Sequence, residues 1–228
     1  MADAIAAEQG GAGRLEIISN FDVGGLTPPL ELVRAIISSV KIPCRVMVRE
    51  NESFFVYDEK IIERLCESAR SLADLSVDGL VLGFLMETGD QYGIDHDALA
   101  RVLSCAPDLK ATFHHAFELL PDPRRAIAEL KQHRQIDRIL TSGGDDPWPT
   151  KIRRLAELQN AAQPEIEILA GGGVDGEAIT LLRHSTTVRE FHVGRAVRKD
   201  NSIYGEVDSR RVKALLGLIK YDGDAKKA

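Results

Sequence analysis

The sequence predicts an α/β protein of the TIM type, a (β/α) barrel that occupies most of the 228 residues. Short β-rich segments recur about every 30 residues with a helical segment in each gap, which is typical of βαβ units and a parallel sheet. The composition is globular, with 44% hydrophobic and 28% charged residues. An open doubly wound sheet would normally carry a Gly-rich turn after its first strand. The segment Ser19-Asn20-Phe21-Asp22 stands there instead, so the barrel is favoured.

Seven segments have the β-rich composition expected of strands: Arg14–Ser19, Cys44–Arg49, Gly79–Gly83, Lys110–His114, Arg138–Ser142, Glu165–Ala170 and Glu190–Gly194. The predicted helices are Ala2–Gln9, Glu31–Val40, Glu59–Leu75, His96–Leu103, Pro123–His133, Thr150–Ala161, Gly176–Arg183 and Ser209–Lys220. A closed barrel of this type has eight strands. The pattern therefore predicts that the first strand is missing before Met1, through a misplaced start codon, a truncation or a barrel open at that seam. We expect one domain over residues 1–220 and a polar tail over 221–228.

Charge and cysteine content restrict the class of partner. The net charge of −6 argues against nucleic acid and anionic membranes, which require a basic surface. No stretch approaches the roughly 18 apolar residues of a membrane span. The three cysteines, at irregular spacing, are typical of a reducing compartment. We expect a cytoplasmic protein without a nucleic-acid or membrane partner.

Four ionisable residues are predicted to meet inside the barrel, near the end where such enzymes carry out chemistry. Alternation along the strands places Glu16, Arg49, His114 and His192 on inward faces, away from their apolar neighbours. Together they could supply an acid, a base and an anion clamp. The alternative is that each is a buried polar group satisfied by a partner. Burying so many charged groups without use is costly, so the set favours a catalytic site.

Two glycine turns suggest an anion site. Gly171-Gly172-Gly173 precedes a predicted helix, and Gly194-Arg195 ends the last strand, where phosphate binds in many barrels. Ser142, at another strand end, could add a hydroxyl or cap a helix. The alternative for the glycines is that they only ease the turn from strand to helix.

Several motifs, in order, resemble the CutC family, whose members are named copper homeostasis proteins. They are Gly11-Ala12-Gly13-Arg14-Leu15-Glu16, Gly24-Gly25-Leu26-Thr27-Pro28, Thr112-Phe113-His114-His115-Ala116-Phe117-Glu118, Arg138-Ile139-Leu140-Thr141-Ser142-Gly143, Gly171-Gly172-Gly173-Val174 and Glu190-Phe191-His192. The resemblance runs from about Ala4 to Val193. It implies a (β/α) barrel, a homo-oligomer, and copper as the bound metal.

The chain also departs from the family pattern. Ile18 stands where the family tends to have cysteine, His115 replaces an arginine, and Arg49–Phe55 retains little of an Arg-Pro-Arg-Gly-Gly-Asp-Phe segment. Cu(I) prefers thiolate and thioether ligands. Cys44 is predicted at the opposite end of its strand from the polar cluster, and Cys66 and Cys105 on outer helices, so we expect no two sulfurs to meet. Glu16, His114 and His192 would suit Zn(II) or Cu(II) better.

Three hypotheses therefore stand. The resemblance implies a cytosolic copper-binding protein. The residues favour an enzyme for a small anionic, possibly phosphorylated, metabolite, in which His114 is the general acid or base, Glu16 its partner, Arg49 the anion clamp and the Gly171–Gly173 turn an anion cradle. The third is a degenerate barrel without activity.

Overall fold

The protein, in a computed structural model that describes residues 1–220, is built on a curled parallel sheet of seven strands within that range. The strands are β1 (Leu15–Ile17), β2 (Cys44–Met47), β3 (Gly79–Leu82), β4 (Leu85–Thr88), β5 (Gln91–Ile94), β6 (Lys110–Phe113), β7 (Ile136–Thr141), β8 (Glu167–Ala170) and β9 (Glu190–Phe191). The sheet order is β1-β2-β3-β6-β7-β8-β9, and every neighbouring pair is parallel. All seven predicted strands are present; six are shorter than predicted, whereas β7 begins two residues before the predicted Arg138 and ends at Thr141. The predicted tail, residues 221–228, lies outside the described residues.

As predicted, a helix lies in each interval between the strands of the main sheet, and one more helix precedes the first strand and another follows the last. They are α1 (Ala2–Gly10), α2 (Leu30–Ser39), α3 (Glu59–Asp74), α4 (His96–Ser104), α5 (Pro123–Leu130), α6 (Trp148–Ala162), α7 (Gly176–Ser185) and α8 (Ser209–Lys220). Four of them begin at an aspartate whose carboxylate accepts a backbone N–H of the first turn, a strong start signal: Asp58, Asp95, Asp122 and Asp175. Along residues 1–220, no helix combines the length and apolar character required to cross a membrane.

Side-chain alternation divides the core into two parts. Val46, Leu80 and Phe113 are fully buried and belong to the apolar layer between the sheet and the helices. Met47 and Leu140 are also buried, but they lie outside this layer and line a cavity on the inner side of the sheet. The predicted inward faces of the strands are therefore correct.

The two edge strands, β1 and β9, are joined by side chains. Arg14 Nη2 lies 2.6 Å from Glu190 Oε2, and Arg138 Nε lies 2.7 Å from the same oxygen. Burial raises the pKa of Glu190, but hydrogen bonds and charge from Arg138 and Arg14 outweigh it and lower that pKa to about 2. The sheet thus curls far enough to bring its edges together at the end where the strands begin.

A second ionic cluster lies at the same end. Arg45, almost completely buried, contacts Asp137 at 2.6 Å, Asp78 at 3.0 Å and the Thr112 hydroxyl at 2.8 Å. Its charge is therefore compensated inside the barrel, as a buried cation requires.

The hairpin β4–β5 was not predicted. Its strands pair antiparallel and form a separate two-stranded sheet between β3 and α4, beyond the carboxyl end of β3. Most of its residues are exposed on both faces, so the sequence has no period-2 hydrophobic pattern there. Phe55 packs its ring 5.0 Å from that of Tyr92 and attaches the hairpin to the loop after β2.

Candidate functional site

An open cavity of about 580 Å³ lies at the carboxyl ends of the strands, where TIM-type enzymes bind substrate. The four residues predicted as catalytic all line it: Glu16, Arg49, His114 and His192. Four of the six residues predicted to bind an anion also line it: Gly172, Gly173, Gly194 and Arg195. The remaining two, Gly171 and Ser142, do not belong to the lining. The geometric convergence expected from the sequence is therefore present, while the chemical roles stay predictions.

Arg49 is a buried cation without a carboxylate partner in the described part of the chain. It is 7% exposed, and its guanidinium donates to the backbone oxygens of Val23 (3.0 Å), Gly25 (3.3 Å) and Glu52. Burial lowers its pKa, although an arginine stays charged under all ordinary conditions. Its Nε has no hydrogen-bond partner within residues 1–220, and the guanidinium lies 4.5 Å from the centre of the Phe54 ring. The charge of Glu52 offsets part of the burial, but the hydrogen bonds of the guanidinium go to backbone carbonyls, and a buried cation without a directly paired carboxylate favours an anionic ligand.

His114 is held as a neutral hydrogen-bond donor. Its ring is 3% exposed, and Nδ1 accepts the backbone N–H of Ala116 at 3.2 Å, which leaves the proton on Nε2. Burial, with the nearby charges of Arg49 and His115, lowers the pKa of His114 to about 3. No partner for Nε2 occurs among the described residues. At neutral pH this ring can donate to an oxygen that gains charge, but it cannot act as a strong base.

Glu16 is paired with His192, and not with His114 as the sequence predicted. His192 Nδ1 lies 3.5 Å from Glu16 Oε2, across the seam between β1 and β9. The expected pairing was wrong because the Nδ1 of His114 is occupied locally by a backbone N–H, whereas the curl of the sheet brings the last strand beside the first. An imidazole and a carboxylate at this distance can exchange a proton with a substrate.

The glycine turn after β8 is conformationally constrained. Gly172 and Gly173 have φ angles of +74° and +88°, which disfavour other residues. A Cβ on Gly172 would also lie 2.8 Å from Ser142 Cβ. The backbone N–H groups of both glycines lack a hydrogen-bond partner in the described range, so they remain available to a ligand. Ser142 lies behind the turn and bonds to Gly144.

His115 and Glu118 were not predicted as site residues. His115 lines the cavity, and its Nδ1 lies 3.7 Å from Glu118 Oε1. The same carboxylate accepts the Thr141 hydroxyl at 2.8 Å and the Ser142 N–H at 2.5 Å. Both residues belong to the 3₁₀ helix 115–119, which alternation along a strand cannot place. The sequence feature that could have indicated these two site residues is the pair of adjacent histidines, His114 and His115.

The cavity does not have the ligands of a copper site. Within residues 1–220, no group of three or more histidine, cysteine or acidic side chains could hold a metal ion. The cysteines do not line the cavity, and burial raises the pKa of the Cys44 thiol to about 11. Cys66 and Cys105 are nevertheless neighbours in the outer helical layer, where α3 packs against α4. Burial and, after it, the nearby Cys105 raise the pKa of the Cys66 thiol to about 11, and Cys66 Sγ lies 3.8 Å from the carbonyl oxygen of Arg101.

The comparisons with known proteins agree with the fold and the motifs. The family model described as "CutC family" matches residues 1–197. The chain belongs to the CutC family. A mouse relative named copper homeostasis protein cutC homolog is 32% identical over 219 residues, which is 96% of this chain and 79% of the relative. A family protein CutC from Mesorhizobium japonicum is 34% identical over 188 residues, with 82% and 71% of the two chains covered.

Solved structures support the same assignment. The crystal structure of a copper homeostasis protein CutC from Streptococcus agalactiae matches with a TM-score of 0.71 and 29% identity, over 79% of this chain and 87% of that one. An orotidine 5′-phosphate decarboxylase from Pyrococcus horikoshii matches with a TM-score of 0.63 at 14% identity, over 95% and 91%. That second likeness shows the TIM-like fold alone.

Proposed function

We propose that this CutC-family barrel is an enzyme that moves a proton on a small carboxylate-bearing metabolite. One observation carries the proposal: Arg49, which has no ion-paired carboxylate among the described residues, presents a buried guanidinium to a cavity that also contains the neutral donor His114. An unpaired buried cation is costly to maintain, and a bound carboxylate would compensate it through a charge-assisted hydrogen bond. Perturbed ionisable groups in a cleft are more frequent at functional sites than elsewhere.

The reaction class follows from the two histidines. The Glu16–His192 pair removes a proton from the carbon next to a carbonyl. The electron pair of the broken C–H bond forms a C=C bond, and the carbonyl π pair moves to the oxygen. The Nε2–H of His114 and the charge of Arg49 stabilise that enolate oxygen. A neutral imidazole suits this role because its proton stays in place while the oxygen gains charge. The proton then returns to the same carbon, and the C=O bond forms again.

Oxalate, a planar dianion that resembles an enolate, tests the binding half of the proposal by calorimetric titration. We expect Arg49→Met to weaken oxalate binding at least 100-fold and Arg49→Lys to recover part of the loss. Arg198→Met is the matched control, because Arg198 also lies over a phenyl ring, that of Phe21, but does not line the cavity. Equal oxalate affinity in the wild type and Arg49→Met, or no binding to the wild type, would refute the proposal.

Deuterium exchange tests the chemical half. The wild type is incubated in D₂O with a panel of 2-oxo and 2-hydroxy acids, with and without a phosphate ester, and loss of the C–H signal is followed by ¹H NMR. We expect Glu16→Gln and His192→Gln each to slow exchange at least 100-fold. Exchange that persists in both variants would assign the proton transfer to other groups.

Copper binding is the second candidate function. The curated relatives are named for copper homeostasis, and two neighbouring thiols, Cys66 and Cys105, offer the soft ligands that Cu(I) prefers. Cu(I) titration of the wild type, Cys66→Ser and Cys44→Ser separates the possibilities. Stoichiometric binding lost only in Cys66→Ser would support this function, whereas equal binding in all three would contradict it.

We also propose a cytoplasmic location and a homo-oligomer. The three cysteines are free, which supports a reducing, cytoplasmic location.

Met86 and Tyr92 of the hairpin and Tyr57 beside it are exposed, which supports a homo-oligomer through this surface. Light scattering of the wild type and Tyr92→Asp tests the second point, since a monomeric wild type would contradict it.

A further inference from the structure

The imidazole of His115 lies on the same cavity wall as the glycine turn. Its Cε1 is 3.6 Å from the point that a Cβ on Gly172 would occupy. His115 is 42% exposed, and only its Nδ1 has a partner, Glu118, so Nε2 is available to the cavity. Two unpartnered N–H groups, those of Gly172 and Gly173, lie beside it. When the ring is an imidazolium, its Nε2–H and the two backbone N–H groups therefore form three donors in a small volume at the end of β8.

Glu118 supplies a fixed negative charge behind this imidazole. Burial alone would raise the pKa of Glu118, but hydrogen bonds from His115, Ser142 and Thr141 lower it to about 2, so the carboxylate is ionised at any working pH. It orients the ring through Nδ1 and offsets the charge of an imidazolium, as second partners of functional histidines commonly do. The other acid on this wall, Asp175, is engaged by the Ala178 N–H at the start of α7.

This wall is far from Arg49 in the sheet. Arg49 follows β2 and the glycine turn follows β8, with β3, β6 and β7 between them in the sheet order. Both positions line the same cavity. A ligand that reaches both must carry an anionic group at each end.

We propose that His115, positioned by Glu118, is a specificity-determining residue that binds a phosphate monoester over the Gly172–Gly173 turn, so that the substrate is a phosphorylated carboxylate. The inference rests on the proposed function for the carboxylate end only. A tetrahedral dianion accepts from several donors at once, and an imidazolium with two backbone N–H groups matches that demand. Each contact alone is weak, and both ends together raise affinity through effective concentration.

Calorimetric titration with inorganic phosphate and with 2-phosphoglycolate tests the inference on the full chain. We expect the wild type to bind 2-phosphoglycolate at least tenfold more tightly than phosphate. His115→Gln should weaken binding of both probes at least tenfold, and His115→Lys should recover most of it because a cation is restored. Glu118→Gln should cost about threefold in affinity, since it removes only the orienting charge.

His96 offers a matched control, because it has the same exposed fraction, 42%, and lies 3.6 Å from Glu129, away from the cavity. His96→Gln should bind both probes as the wild type does. Thermal melting of each variant separates loss of binding from loss of fold.

The outcomes distinguish the two proposals. If His115→Gln leaves the phosphate affinity unchanged, or if His96→Gln reduces it equally, the phosphate subsite is overturned. Oxalate binding by the wild type would still support the Arg49 site. Failure of the wild type to bind oxalate, with a phosphate affinity that depends on His115, overturns the proposed carboxylate function alone.

Discussion

The substitution Glu190→Gln measures how much the ion pairs of Glu190 with Arg14 and Arg138 stabilise the sheet. In the folded protein Arg14 and Arg138 lower the pKa of Glu190 from 4.5 to about 2. At about 1.4 kcal/mol per pH unit this depression corresponds to about 3 kcal/mol, which solvent screening of a carboxylate that is 27% exposed reduces to about 2 kcal/mol. We expect urea unfolding at pH 7 to show a loss of about 2 kcal/mol in Glu190→Gln.

The pH dependence gives the second half of this test. Because the folded pKa is depressed, the stabilisation is complete above the unfolded pKa and is lost as the pH falls through the folded one. The difference between wild type and variant should therefore shrink by more than half between pH 7 and pH 3. Glu165→Gln is the control, since its ion pair with Lys131 is largely exposed and should not change the urea midpoint. A difference below about 0.5 kcal/mol at pH 7, or one that is equal at pH 3, would refute the reasoning.

Three further predictions follow from the site and the core. Gly172→Ala should cost about 1–2 kcal/mol in urea unfolding and also weaken phosphate binding, because it combines a positive φ with a clash; Gly173→Ala has the positive φ without a contact and should cost less. His114→Gln should weaken oxalate binding by the same factor at pH 5.5 and pH 8.5, because a histidine with a pKa of about 3 does not titrate in that range; a pH-dependent factor in calorimetry would contradict it. Leu99→Ala, at a fully buried position of α4, should cost about 2–5 kcal/mol in the same unfolding assay, and a loss below about 1 kcal/mol would mean that the core repacks around it.

Much of the fold could be predicted from local pattern. A parallel strand buried on both faces is a short apolar run, and the aspartates that begin α3 and α4 are strong signals that need no tertiary information. The exposed hairpin β4–β5 gave no hydrophobic period and was missed for that reason.

The sequence by itself determined that Glu16, Arg49, His114 and His192 face one space, because alternation along parallel strands is fixed by the backbone. Only the tertiary structure decided how these residues are paired. The partner of Glu16 depends on the curl that brings β9 beside β1, and the neutrality of His114 depends on its burial and on the N–H of Ala116. Such pairings are set by packing between segments far apart in the chain, and no local hydrophobic period in the sequence predicts them.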